Sequence, residues 1–129
     1  MLRLGTIVMG ADDVGRAVGF WSEALGYDVH HFDGDNPSEF TILLPPDRVG
    51  TRVALQRADT APAQEHPRVH LDLVVDDAGE QSREVDRLVE LGATVADWDS
   101  YPDDPDFVVL VDPEGNRFCI VNAGHGAEQ

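Results

Sequence analysis

Five histidines and a single cysteine carry most of the nitrogen and sulfur chemistry available to this chain of 129 residues. Strand alternation decides which of them can act together. In the apolar run 69–75, Val69, Leu71, Leu73 and Val75 share one face, and His70, Asp72 and Val74 share the other. The uniformly apolar face is expected to carry a helix, so His70 and Asp72 turn to the opposite, open side. In the run 117–121, Phe118 and Ile120 take the helix side, which sends Cys119 and Val121 to the open side. In 51–57, Val53 and Leu55 pack under a helix, and Arg52, Ala54 and Gln56 point the other way. Each candidate also has a plainer reading. A buried cysteine is commonly an inert small hydrophobe, His70 can serve as a hydrogen-bond partner in a cleft, Gln56 as a polar group on its wall, and Asp72 as a solvated rim residue.

The other histidines are less promising. His30 and His31 are adjacent, so on a strand they point to opposite faces and cannot chelate together. His66 falls in a linker and His125 in a Gly-rich tail, where solvation is expected. The acidic group Asp97, Asp99, Asp103, Asp104 and Asp106 lacks the spacing, central glycine and terminal glutamate of a calcium loop, and reads as a solvated loop.

The elements that position these residues form two copies of one pattern. Asp12-Asp13-Val14-Gly15 opens a helical stretch ending at Ala24-Leu25-Gly26, and Asp76-Asp77-Ala78-Gly79 opens another ending at Glu90-Leu91-Gly92. Val14, Ala17, Val18, Trp21 and Leu25 make one apolar stripe; Phe20 and Trp21 on such a stripe read as core rather than as ligand-stacking groups. Asp77 with Glu80 resembles a capping box, Val85, Leu88 and Val89 are expected to face the sheet, and Gly26 and Gly92 close the helices. Strand-like runs precede each helix at 2–9 and 69–75. Further runs follow at 27–32, 39–44 and 51–57, and again at 94–98, 107–111 and 117–121, the last two joined through the turn Asp112-Pro113-Glu114-Gly115-Asn116. The expectation is a single α+β domain of two tandem βαβββ modules with curved mixed sheets enclosing a central cleft. Module one covers 2–57, a linker 58–67, module two 68–122 and a tail 123–129. The repeat offset is 64 residues at the start of the helices and 66 at their ends; applied to the strands it sets Gly5 opposite His70 and Gln56 opposite Cys119, so that these four positions converge on the cleft by pseudo-twofold symmetry.

Composition narrows the function. Twenty-five acidic residues against nine basic ones, all arginine, give a formal charge of −16. Such a surface repels phosphate backbones and anionic lipid, so neither nucleic acid nor membrane is expected as a partner, and a cationic ligand is physically easier. No apolar run is long enough to span a bilayer, and the first residues carry no signal-peptide pattern, which makes a cytoplasmic protein the expectation. One cysteine excludes an intrachain disulfide framework.

Four segments in order resemble the vicinal oxygen chelate superfamily, which includes glyoxalase I, bleomycin-resistance proteins and extradiol dioxygenases. They are Phe20-Trp21 with Leu25-Gly26-Tyr27, His70 through Asp77, Leu91-Gly92-Ala93, and Asp112-Pro113-Glu114-Gly115-Asn116 through Ile120. The resemblance implies a divalent ion held at Gly5, Gln56, His70 and Cys119, the positions where metal-dependent members carry ligands. Gly5 cannot ligate, Cys119 stands where a carboxylate is usual, and Gln56 is a weak neutral donor. Imidazole plus thiolate would suit zinc, whereas hard ions want oxygen. The broken set favours a metal-independent binder of a small molecule, without a cofactor, contacted by His70, Gln56, Cys119, Asp72 and Arg52. The alternative is a metal-dependent lyase, isomerase or dioxygenase, and a third reading is a structural or regulatory module without a dedicated ligand. Related proteins often pair, and exposed sheet edges make a homodimer the expectation.

Overall fold

The computed structural model describes residues 1–62 and 66–126. Residues 63–65 of the expected linker and 127–129 of the expected tail lie outside the described residues. The chain divides into two compact units, Met1–Pro62 and Ala63–Gln129. In the first, β1 (Thr6–Ala11), α1 (Val14–Leu25), β2 (Asp28–His30), β3 (Phe40–Leu44) and β4 (Arg52–Arg57) follow one another. In the second, β5 (Leu71–Val75), α2 (Ala78–Leu91), β6 (Thr94–Val95), β7 (Phe107–Val111) and β8 (Arg117–Asn122) repeat the order. The sheets run β1-β4-β3-β2 and β5-β8-β7-β6. The first strand of each unit is parallel to its neighbour and the other pairings are antiparallel. This is an α+β protein of two tandem βαβββ modules with mixed sheets.

Side chains fix the helix ends. The Asp13 carboxylate accepts from the Arg16 N–H at 3.1 Å, and Gly26, at φ 67°, closes α1 in the left-handed region where a Cβ is costly. Asp77 accepts from the Glu80 N–H at 2.7 Å, and the Glu80 carboxylate reaches back to the Asp76 N–H at 3.3 Å. The capping box is therefore present, with its return bond displaced by one residue. Asp77→Ala is expected to lower stability by about 1 kcal/mol, read as a shifted urea midpoint at unchanged slope.

The apolar faces bury as alternation requires. In module one Trp21, Leu43 and Leu55 are buried, and Phe20 meets Trp21 edge-on at 5.1 Å, so both aromatics belong to the core. In module two Phe118, Ile120 and Leu110 pack beneath Leu88, the one fully buried residue of α2. Val85 is half-buried and Val89 exposed, because the stripe of this helix is narrower than its valines suggest. Gly124 passes so close to the end of β5 that a Cβ there would lie 2.5 Å from the Asp76 carbonyl oxygen.

Most expected strands are shorter than their runs: those at 39–44 and 51–57 lose one residue each, and that at 69–75 begins at Leu71, which leaves Val69 and His70 outside the ladder. Leu2 and Leu4 are exposed, because the β4 ladder starts only at the Thr6–Arg52 pair and leaves them without a partner. The second run stops at His30, and Phe32 is half exposed in the loop beyond. The sixth ends at Val95; the Ala96 N–H still bonds to the Val109 carbonyl, and the chain then leaves the sheet.

Candidate functional site

The open face of module two is built by alternation in β5, β8 and β7. Leu71 and Leu73 pair with Phe118 and Ile120 on the helix side, so Asp72 pairs with Cys119 on the other. Val109 pairs with Cys119 from β7, on that same open face. His70 precedes β5 and continues its alternation. Three different donor types thus gather at one place: the His70 imidazole, the Asp72 carboxylate and the Cys119 thiol present atoms all within 4.8 Å of one another. His70 Nε2 lies 3.0 Å from Asp72 Oδ1.

The cluster sits in a hollow of about 410 Å³, within the range that admits a small organic ligand. Phe107, Val109 and Val121 form an apolar floor, and Trp98, His66 and Arg117 form a wall. The loop carrying Trp98 is tied in place. Tyr101 Oη accepts from the Val109 N–H at 2.8 Å, and the Asp106 carbonyl accepts from the Asn122 N–H at 2.7 Å and from Gln81 Nε2 at 3.1 Å. His66 Nε2 lies 3.1 Å from Asp99 Oδ1, and its ring is 4.5 Å from that of Trp98. The Ser100 hydroxyl donates to the Asp99 carboxylate, and with His66 it holds that carboxyl below its usual range. His125 Nε2 lies 3.0 Å from Asp104 Oδ2. The acidic loop is exposed as expected, but His66 and His125 are partners that pin it, not merely solvated residues.

Burial pushes the Cys119 thiol up to about 11, helped by the negative charge of Asp72 and by the hydrogen bond the thiol donates to it. Near neutral pH the sulfur is a protonated thiol. An unfolded chain ionises this thiol near its ordinary value of 9.0. The folded state therefore binds the extra proton between the two values. Stability from this source is complete below about pH 9 and is lost as pH rises through about 11, on the order of 2 kcal/mol in all. Denaturation at pH 8 and pH 11 should show this loss in the native chain, and Cys119→Ala should remove that component.

The structure brings together His70, Asp72 and Cys119. Arg52 and Gln56 lie on the corresponding open face of module one, where Gln56 pairs with Gly10 and Phe40. The equivalences of Gly5 with His70 and of Gln56 with Cys119 are corrected by the strand registers. Ile7 and Val53 pair in module one as Leu71 and Phe118 pair in module two, so the residue before Ile7, Thr6, is the counterpart of His70. Gly5 instead corresponds to Val69. Phe40 pairs with Gln56 as Phe107 pairs with Val121, and Ile42 with Ala54 as Val109 with Cys119. Ala54 is thus the counterpart of Cys119, and Gln56 that of Val121. The two helices have 12 and 14 residues, and the spacing between the parallel strands also differs by one residue between modules. The matching of Gly5 to His70 is therefore off by one residue at β1, which changes the face, and that of Gln56 to Cys119 by two along β4, which keeps it.

Trp98, His66 and Arg117 are wall residues not singled out from the sequence. Arg117 was legible, since it lies two residues before Cys119 and so shares its face. Trp98 and His66 lie outside the strands, where alternation gives no direction.

A family profile described as Glyoxalase-like domain matches residues 6–121. No curated protein matches. Among solved structures, a glyoxalase/bleomycin resistance protein/dioxygenase family enzyme from Burkholderia phytofirmans PsJN is 17% identical with a TM-score of 0.71, over 94% of this chain and 98% of that one. A glyoxalase-related enzyme from Fulvimarina pelagi is 19% identical with a TM-score of 0.69, over 95% and 88%. A mutant of the fosfomycin resistance protein FosX from Listeria monocytogenes, complexed with Mn(II) and 1S,2S-dihydroxypropylphosphonic acid, is 14% identical with a TM-score of 0.71, over 99% and 98%. At these identities the structural likeness speaks for the fold. Together with the profile match across both modules, it makes this chain a member of the glyoxalase-like domain family, within the vicinal oxygen chelate superfamily.

Proposed function

We propose that the protein binds a small organic molecule on the open face of module two and that its metal site is degenerate. The observation that supports this is the hollow itself, where an aromatic and apolar wall meets the polar cluster of His70, Asp72 and Cys119. Pockets of this kind hold ligands by apolar contact and orient them with a few polar groups. The chain's charge of −16 favours the approach of cationic or uncharged molecules over anions.

The residues do not fit a hard ion such as the manganese of the FosX complex. Hard ions prefer oxygen ligands, and of the three clustered side chains only Asp72 supplies one, while the protonated thiol of Cys119 is a soft donor. The second reading, a metal-dependent lyase, isomerase or dioxygenase, is favoured by one observation. Nitrogen, oxygen and sulfur donors lie within 4.8 Å of one another, a set that suits zinc with an open position. Zinc there would polarise a bound oxygen. Against it, Cys119 would have to give up a proton that burial and Asp72 retain.

Metal analysis of protein purified without chelator separates the two readings. Substoichiometric metal in the native chain is expected. One equivalent of zinc, lost in both His70→Ala and Cys119→Ala, would contradict the degenerate site. Arg52→Ala and Gln56→Ala test whether module one contributes to binding: a tenfold weaker ligand would support a role for these residues, and unchanged affinity would remove them. We also propose a cytoplasmic homodimer, for which light scattering at micromolar concentration should give twice the chain mass of 14.1 kDa.

A further inference from the structure

Two residues that line the hollow carry a donor nitrogen that no described residue engages. Arg117 Nη1 and Trp98 Nε1 are both sealed from solvent, and neither has a hydrogen-bond partner among the described residues. The guanidinium carbon lies 5.9 Å from the centroid of the Trp98 ring, so the two donors belong to one stacked pair, and both residues line the hollow. Arg3, Arg52, Arg68 and Arg83 also meet no carboxylate among the described residues, but they are exposed to water, whereas Arg117 is half-buried; three further arginines have acidic partners. Arg48 meets Asp28 at 2.8 Å, Arg57 meets Asp12 at 3.6 Å, and Arg87 meets Glu84 at 2.7 Å. In a chain with 25 acidic residues, Arg117 meets no carboxylate among the described ones.

Two N–H-bearing nitrogens withdrawn from water without acceptors are costly, and an acceptor that a ligand brings to either of them lowers that cost. The planar guanidinium is best matched by an oxyanion that takes two parallel N–H bonds. Resting on the reading of this hollow as a ligand site, we infer that the ligand presents a carboxylate-type oxyanion to Arg117, with Trp98 supplying an aromatic face for the body of the molecule. Nη1 must turn toward the hollow to make this bond, a rotation about the terminal torsions of a long side chain. Net negative charge governs approach over long range and is screened by salt, whereas the unpaired guanidinium governs what is held at contact.

The test uses the full chain and three matched sets of probes: benzoate, 2-naphthoate and indole-3-acetate, each with its amide and with the amine of the same skeleton. Titrations followed by the Trp98 indole N–H and the Arg117 side-chain N–H resonances should show at least one acid binding tenfold or more tighter than its amide and amine. Arg117→Gln should bring that acid down to the level of its amide while leaving the amide within about twofold. Arg117→Lys, which keeps the charge but loses the fork, should fall between, and circular dichroism verifies that both variants are folded. Amines or amides binding as well as the acids, or an acid preference that survives Arg117→Gln, would overturn the inference and leave the ligand site standing. If no probe moves either resonance, the inference and the ligand site are both overturned.

Discussion

Phe118→Ala is expected to destabilise the chain by about 3–5 kcal/mol, the largest effect of any substitution near the site. The ring is almost wholly buried, on the helix side of β8, paired with Leu71 on one flank and Leu110 on the other. Truncation removes its transfer energy and leaves a void that two sheet strands and a helix cannot easily close. Phe118 also sets the direction of its neighbour. With its ring held under α2, the pleat forces the Cys119 side chain to the open face. Urea titration should show the loss of stability. A cost below about 1 kcal/mol would mean that the ring does not anchor β8, and the placement of Cys119 would lose its support.

Asp72→Asn is expected to make Cys119 react about tenfold faster with an aromatic disulfide reagent at pH 8. With the thiol held near 11, about one molecule in a thousand is ionised at that pH, and each unit of lowering multiplies the thiolate tenfold. Burial is the larger cause of the raised value and remains in the variant; the substitution removes the carboxylate's charge. The pH profile of the rate should shift to lower pH. An unshifted profile would mean that Asp72 does not govern the thiol, and the cluster of three would reduce to neighbours without coupling.

Much of this architecture was legible in the residues. Asp13, Asp77, Gly26 and Gly92 mark the helix ends through local backbone chemistry that needs no tertiary context. The pairing of His70, Asp72 and Cys119 on one face followed from strand parity, because strands have a strict period of two. Parity is also where the reading of module one failed. A one-residue shift at β1 changes the face and puts Thr6, not Gly5, at the counterpart of His70, whereas the two-residue shift along β4 keeps the face and puts Ala54, not Gln56, at the counterpart of Cys119. The wall of the hollow was not legible. Trp98 and His66 lie on irregular chain, and their positions follow from long-range bonds such as Tyr101 to Val109 and Asp106 to Asn122. The contacts of His66 with Asp99 and of His125 with Asp104 arise in the same way and carry no sequence period.

The central claim is that a small molecule is held against the open face of module two, and backbone amide mapping of the full labelled chain during titration with the aromatic probes tests it most directly. The account predicts that shifted resonances gather at His70, Asp72, Trp98, Phe107 and Cys119, and that Trp98→Ala weakens the titration at least tenfold. Shifts gathered on residues remote from these, or a titration indifferent to Trp98→Ala, would contradict it.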